Sequence, residues 1–287
     1  MQWRLSAAAR NHKGILRPNN EDNFYLNGCW LSEEAMARSA TMARDSVAAF
    51  QLYAVCDGMG GEARGEQASL SAARAMATWQ TSHLSGVTDQ EIMTAIRALT
   101  NDVHALGQAC GQSIGTTLTA LLWQNGRVQV LNVGDSRAYR LRDKRFTQLT
   151  VDHSAVQKLV QMGMLTPEQA RLSPQRHFIS QYVGMASRER DFQPDLSPPI
   201  AARAGDRYLL CSDGLYEMVA RAAIRHTMRS ARTPAEAADR LVQLALDNGG
   251  RDNVTVVCLW VYRGWGSRVK DWLMRLRERS RGEYRVS

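Results

Sequence analysis

Tyr53-Ala54-Val55-Cys56-Asp57-Gly58-Met59-Gly60-Gly61-Glu62-Ala63-Arg64-Gly65-Glu66-Gln67-Ala68-Ser69 reads as a strand, a glycine-rich turn and the start of a helix. Leu52 to Cys56 is a short apolar run of the kind buried on both faces of a sheet. It delivers one carboxylate, Asp57, into a turn holding Gly58, Gly60, Gly61 and Gly65, where a ligand can approach the main chain closely. Ala68, Ala72, Met76 and Trp79 then recur at helical spacing. The turn has neither the Gly-Lys-Ser/Thr ending of a Walker loop nor a regular Gly-x-Gly-x-x-Gly. A carboxylate at a strand end suits a hard divalent cation, which takes oxygen ligands and needs more than one of them.

Working outward, the same device returns. Thr117–Leu122, Val128–Val133, Arg137–Leu141 and Phe146–Leu149 are strand candidates, with Asn125-Gly126 as a hairpin signal. Gly134-Asp135-Ser136 follows the second of them, and the run Tyr208–Cys211 delivers Ser212-Asp213-Gly214. Arg251-Asp252-Asn253 leads into the apolar run Val254–Val261. Near the start, a loop marked by Pro18 and asparagines presents Arg17, Glu21 and Asp22. Residues 2–10 read as an opening edge strand and 32–48 as an excursion between strands. Thr88 with Glu91 forms a capping box for a long amphipathic helix, and Thr233-Pro234 with Glu236 opens another that stops at Asn248-Gly249-Gly250. Between 152 and 185, helix starts at Ser154 and Thr166-Pro167 mark a small helical insert. The expected architecture is α+β, a β-sandwich of two packed antiparallel sheets with helices on both outer faces.

Glu21, Asp22, Asp57, Asp135, Asp213 and Asp252 all stand at strand ends or in adjoining loops, without a basic partner at helical spacing. Acids gathered in this way repel one another unless cations hold them together. Histidine and cysteine are missing from these turns, which favours Mg²⁺ or Mn²⁺ over zinc. Two such ions can activate a water and polarise a phosphoryl oxygen, and Arg17 offers a fork for a phosphate.

These residues resemble the metal-dependent serine/threonine protein phosphatases of type 2C in their bacterial form. The matching motifs are Arg17-x-x-Asn20-Glu21-Asp22-x-Phe24, Asp57-Gly58-Met59-Gly60-Gly61-x-x-x-Gly65-Glu66-x-Ala68-Ser69 and Gly115-Thr116-Thr117. Asn132-Val133-Gly134-Asp135-Ser136-Arg137, Asp152-His153-Ser154, Ser212-Asp213-Gly214-Leu215 and Asp252-Asn253-Val254-Thr255 complete the series in the family's order, across residues 5–262. The resemblance implies two or three divalent cations, Mn²⁺ or Mg²⁺. Asp57 would bridge two of them, Asp213 and Asp252 would complete the first, and Glu21 with the Gly58 carbonyl would hold the second. Asp135 with Asp213 would bind a weaker third ion, Asp22 would orient a metal-bound water, and Arg17 would bind the substrate phosphate. It also implies direct hydrolysis of phosphoserine and phosphothreonine in proteins without a phosphoenzyme, opposing a serine/threonine kinase, and a mobile flap at 152–185. Met59 stands where animal members place a histidine, so no histidine is assigned a role.

The chain has 287 residues and a net charge of +8. Eight basic and three acidic residues lie between Arg263 and Ser287, which leaves only +3 for the other 262. The tail from 263 to 287 is read as a basic amphipathic segment after a domain spanning 1–262. It either docks or frays, or touches an anionic membrane surface or acidic partner; without a recognised motif, no nucleic-acid partner is expected. The five cysteines form no Cys-x-x-Cys pair, the start has no signal-peptide core, and no apolar run approaches a span. A soluble, monomeric, cytoplasmic protein is the expectation, with peripheral contact at the inner membrane face under one reading of the tail. Its rivals are a sensing module on the same fold, a two-metal hydrolase acting on a nucleotide or nucleic acid, and a scaffold recruited through the tail.

Overall fold

The computed structural model describes residues 2–60, 64–109, 111–186 and 192–264. The basic tail from 265 onward and residues 61–63 of the glycine-rich turn lie outside the described residues.

One sheet runs in the order β10 (Asp195–Leu196), β7 (Arg127–Val133), β6 (Leu118–Gln124), β4 (Phe50–Gly60) and β2 (Asp22–Leu26). β11 (Ile200–Ala201) joins β7, and β5 (Ile114–Thr116) joins the far end of β4. The other sheet runs β3 (Ala40–Ser46), β1 (Gln2–His12), β13 (Val254–Gly264), β12 (Arg207–Cys211), β8 (Arg137–Arg142) and β9 (Arg145–Gln148). Every one of these pairings is antiparallel. The helices are α1 (Glu33–Met36), α2 (Gly65–Ser82), α3 (Asp89–Ala109), α4 (Ala155–Gln161), α5 (Pro167–Leu172), α6 (Asp213–Tyr216), α7 (Arg221–Ser230) and α8 (Pro234–Asp247).

The apolar runs divide their side chains between layers, as alternation along a strand requires. On β4, Leu52, Ala54 and Cys56 face α2 and α3, and Tyr53 and Val55 face the opposing sheet. On β13, Val257, Leu259 and Val261 enter the space between the sheets while Val256, Cys258 and Trp260 meet α7 and α8. Strands buried on both faces therefore show no polar alternation, and the result is a helix–sheet–sheet–helix stack with three apolar layers. The stripe Ile92, Ile96, Leu99 and Val103 of α3 is buried in the outer layer, behind the Thr88–Glu91 capping box.

Several local expectations need correction. β1 is an interior strand between β3 and β13; the edge is β3, folded from the segment 32–48. β4 does not turn at Asp57 but continues to Gly60, because β5 pairs with Gly58, Met59 and Gly60. Asp22 is the first residue of β2 and fully buried. α7 was not foreseen: Arg221, Arg225, His226 and Arg229 dominate it, and only Ile224, Thr227 and Met228 are buried.

Candidate metal centre

The six carboxylates singled out by the sequence meet at one end of the sandwich. Asp57 on β4 stands directly across from Asp22 on β2. Glu21, one residue before the strand, receives the Gly58 amide on its carbonyl at 3.1 Å and the Gly65 amide on Oε1 at 3.3 Å. Its side chain thereby caps the start of α2, where an acid is favoured by the helix dipole. A Cβ on Gly58 would lie 2.1 Å from the Gly65 carbonyl oxygen and 2.6 Å from that of Glu21, so only glycine lets these backbones meet.

The other acids arrive on separate elements. Asp135 follows β7, Asp213 is the first residue of α6, and Asp252 precedes β13. Asn253 fixes that last loop: its Nδ2 donates to the carbonyls of Lys13 and Asn19 at 2.8 Å, and its Oδ1 accepts from the Glu21 amide at 2.8 Å. Ser212 donates from its hydroxyl to Asp22 Oδ2 at 2.8 Å while accepting from the Thr255 amide at 3.0 Å. Thr117 accepts the Asp57 amide at 3.0 Å and hydrogen-bonds the Ser136 hydroxyl at 2.8 Å.

Burial, and then repulsion from neighbouring carboxylates, raises Glu21, Asp22, Asp57, Asp135 and Asp213. The Asp57 carboxyl lies well above its ordinary range, pushed first by burial and then by the charges of Asp22, Asp213, Asp135 and Asp252. Asp213 is raised likewise by burial and by Asp135 and Asp252. Asp22 is pushed up to about 7 by burial, against the opposing hydrogen bond from Ser212. Asp135 also reaches about 7, through burial and the charge of Asp152. Glu21 is raised by burial. Oδ1 of Asp22 and Oδ1 of Asp135 are buried with no hydrogen-bond partner. Acidic oxygens with unused lone pairs and few counter-charges are a donor set that fits hard divalent cations.

Among the described residues, Arg17 is the one basic side chain paired with these acids, through Nη2 to Asp252 Oδ2 at 2.7 Å; it is exposed at the rim. Sequence reasoning had pointed it at a phosphate and left Asp252 without a counter-charge.

A family model described as protein phosphatase 2C matches residues 39–246. The chain belongs to this family. Serine/threonine protein phosphatase PstP of Mycobacterium tuberculosis is 39% identical over 255 residues, which is 88% of this chain and 44% of that protein. The chain thus spans less than half the length of that relative. Serine/threonine phosphatase stp of Listeria monocytogenes is 30% identical over 259 residues, covering 88% of this chain and 94% of the relative. Among solved structures, the PstP catalytic domain in complex with two manganese ions superposes with a TM-score of 0.74 at 37% identity, covering 91% of this chain and 100% of that one.

Other residues joined to the centre carried weaker signals in the family member's sequence. Tyr216 donates its hydroxyl to the Asp135 carbonyl at 3.1 Å, and its ring lies 3.6 Å beneath the Arg137 guanidinium. Arg137 in turn holds Asp152 through Nε at 2.9 Å. His177, at the end of the short 3₁₀ turn Pro174–His177, approaches Glu217 at 3.3 Å, and Arg176 approaches the same carboxylate at 3.7 Å. Ligand atoms of His177, Asp213 and Glu217 all lie within 4.8 Å of one another. The absence of histidine from the acidic turns therefore does not keep histidine out of the site: the insert brings one in from 36 residues before Asp213.

Cys56 and Cys211 precede site acids but point into the apolar layers, where burial raises both thiols; Cys211 is pushed up to about 12. Neither is poised as a thiolate nucleophile.

Proposed function

We propose that the chain hydrolyses phosphoserine and phosphothreonine in proteins, opposing a serine/threonine kinase, with two or three divalent cations, Mn²⁺ or Mg²⁺, held by the acidic end of the sandwich. The observation that carries this reading is the convergence of Asp22 and Asp57, cross-strand neighbours, with Asp135, Asp213 and Asp252, where neighbouring charges add to burial in raising Asp22, Asp57 and Asp213. The names of the relatives, serine/threonine phosphatases, support the reaction class.

Asp57, Asp213 and Asp252 would hold one ion, Asp57, Glu21 and the Gly58 carbonyl a second, and Asp135 with Asp213 a third. Cations bound there supply an activated water and polarise a phosphoryl oxygen. Ser212 holds Asp22 by Oδ2, which leaves Oδ1 unpartnered to orient a water for in-line attack. Glu21 is fixed by the Gly65 amide and Asp252 by the Asn253 amide, so the carboxylates are positioned before substrate arrives. Arg17, exposed at the rim, can turn from Asp252 to a phosphate with its planar fork. No protein nucleophile is required: the two neighbouring thiols are buried and protonated, and the Ser212 hydroxyl is committed to Asp22.

Hydrolysis of a phosphothreonine peptide, measured with Mn²⁺, with EDTA and with Asp213→Asn, tests this. Turnover that needs the cation and collapses in the variant supports the proposal. Turnover indifferent to EDTA would overturn it, and cation binding without turnover would favour a sensing module.

A further inference from the structure

Opposite the acids, the sandwich ends in a concentration of cations that the proposed hydrolysis does not use. β8 runs away from the acidic end at Asp135–Arg137, and its last residue, Arg142, lies about 17 Å of strand further on. There the hairpin joining β8 to β9 and the turn before β12 enclose two adjoining cavities. One, of about 280 Å³, is lined by Arg142, Arg203, Arg207 and Arg229. The other, of about 590 Å³, shares Arg142 and Arg203 and adds Arg140, Lys144 and Arg145.

The carboxylates lining the cavities are Asp143 and Asp206. Asp206 is already occupied: Arg142 grips it with Nε at 2.7 Å and Nη2 at 2.6 Å, and the Arg203 amide donates to it at 2.8 Å. Arg207 is spent on the end of α7, donating to the carbonyls of Met228 and Ala231, with its guanidinium 4.7 Å from the Trp260 ring centre. Arg140, Lys144, Arg145, Arg203 and Arg229 face the cavities without an ion pair among the described residues. Arg140 Nε is also buried with no hydrogen-bond acceptor. Five unpaired cations around a concavity repel one another, and an anion that enters relieves this. Charge elsewhere does not explain the cluster, because residues 1–262 carry a net of only +3.

We propose that this pole is a binding site for a compact polyphosphate anion, a chain of phosphoryl groups either free or carried by a nucleotide. The lining chooses that chemistry. Guanidinium forks match phosphoryl oxygens bidentately. Among the described residues, no aromatic side chain lines either cavity to stack a base, and Leu141 and Ala204 are the only aliphatic ones there, too few to seat an acyl chain. Arg203, which has no ion pair among the described residues, lines both cavities, so an extended anion seated where they meet faces the cations of each.

Isothermal titration of magnesium tripolyphosphate into the Mg²⁺-loaded full chain tests the site, with magnesium ATP as the second arm. Binding at the acidic end is common to wild type and to a variant carrying Arg145→Glu with Arg203→Glu. Both substituted side chains are exposed and unpaired, so the fold should tolerate them. Wild type is expected to show a salt-sensitive binding event that weakens at least tenfold in the variant, while turnover of a short phosphopeptide stays within about twofold. Equal affinity of the two ligands identifies a free polyphosphate as sufficient, and tighter ATP binding identifies the nucleotide as the source. Identical titrations for wild type and variant, with either ligand, would overturn the proposal whether or not the chain is a phosphatase. Arg145→Ala with Arg203→Ala, which removes charge without reversing it, replaces the first variant if that one fails to fold.

Discussion

The two ends of the sandwich both crowd charges of one sign, and they treat them oppositely. At one end Asp22, Asp57 and Asp213 are sunk among strands and backbone hydrogen bonds, with Arg17 alone among the described residues paired to the group. At the other, Lys144, Arg145 and Arg203 stand exposed, in turns or at the first residue of β9, and the buried acid there, Asp206, is fully paired. Burial makes like charge expensive, because desolvation adds to repulsion; exposure lets water and salt screen it. The acidic end is therefore the one whose charge must be answered by a bound ion for the fold itself to be comfortable, and the basic end can wait for its ligand.

The strongest way to break this comparison is to remove charge from the acidic end. Asp57→Asn is expected to lower kcat on a phosphothreonine peptide by about 10³-fold or more, the scale of losing a group that positions the reacting charge. The same variant should be more stable than wild type in EDTA, since it deletes a buried like charge. A parallel outcome follows from pH. Asp22 and Asp135, raised to about 7, would sit near the usual carboxylate value when unfolded. Protonation thus favours the folded state, fully below the unfolded pKa, and that contribution is lost as pH rises through about 7. In EDTA the melting temperature should fall between pH 5 and 8, and the increment given by Mn²⁺ should grow over the same range. A cation increment that is flat with pH would mean that the acids are not what the cation relieves.

At the basic end the comparison is sharpened by Arg142→Ala. Asp206 is 1% exposed, and without Arg142 it keeps only the Arg203 amide and the Tyr208 hydroxyl. Stranding a buried carboxylate costs about 3 kcal/mol, readable as a lower urea midpoint at unchanged m. Phosphopeptide turnover below the melting temperature should be unaffected. Arg17→Ala, on the exposed rim, is expected to cost about 10- to 100-fold in kcat/KM, the worth of a charge-assisted hydrogen bond to a phosphate. The metal-free variant should also bind its first cation no more weakly than wild type, because Asp252 is released from its ion pair.

Legibility in the sequence followed the same division. β4, β12 and β13 were readable because their apolar runs adjoin Asp-Gly or Asp-Asn, after the strand for β4 and β12 and before it for β13, and a carboxylate at the end of a buried strand has few structural reasons to be there. The caps at Ser154, Thr166 and Thr233 were legible because each satisfies backbone amides locally. β3 was not, since as an edge strand its sequence Ala-Thr-Met-Ala-Arg-Asp-Ser is half polar and its pairing partners lie 29 to 41 residues earlier in the chain, from Asn11↔Ala40 to Leu5↔Ser46. The Arg17–Asp252 pair spans 235 residues and the Ser212–Asp22 bond 190, separations over which spacing carries no information. Arg140 falls in the strand candidate Arg137–Leu141 and the cations at 142–145 and 203–207 belong to no motif, so only tertiary folding lines them around common cavities.

The smallest effect is expected where the insert touches the acidic end. His177 and Arg176 meet Glu217 at the surface, and pairs of that kind are worth about 0–1 kcal/mol. His177→Ala should then change kcat/KM by no more than about fivefold and leave the Mn²⁺ concentration for half-activation unmoved. The close approach of His177 to Asp213 and Glu217 offers the contrary outcome. If the histidine shares a cation with Asp213, its loss should raise the half-activating concentration about tenfold or more, and the change should be larger for Zn²⁺, which favours imidazole, than for Mg²⁺. Comparing the three metals on one variant separates a surface contact from a ligand. A ligand role would also mean that the acidic end takes part of its donor set from the insert, so that cation affinity would depend on where the insert sits.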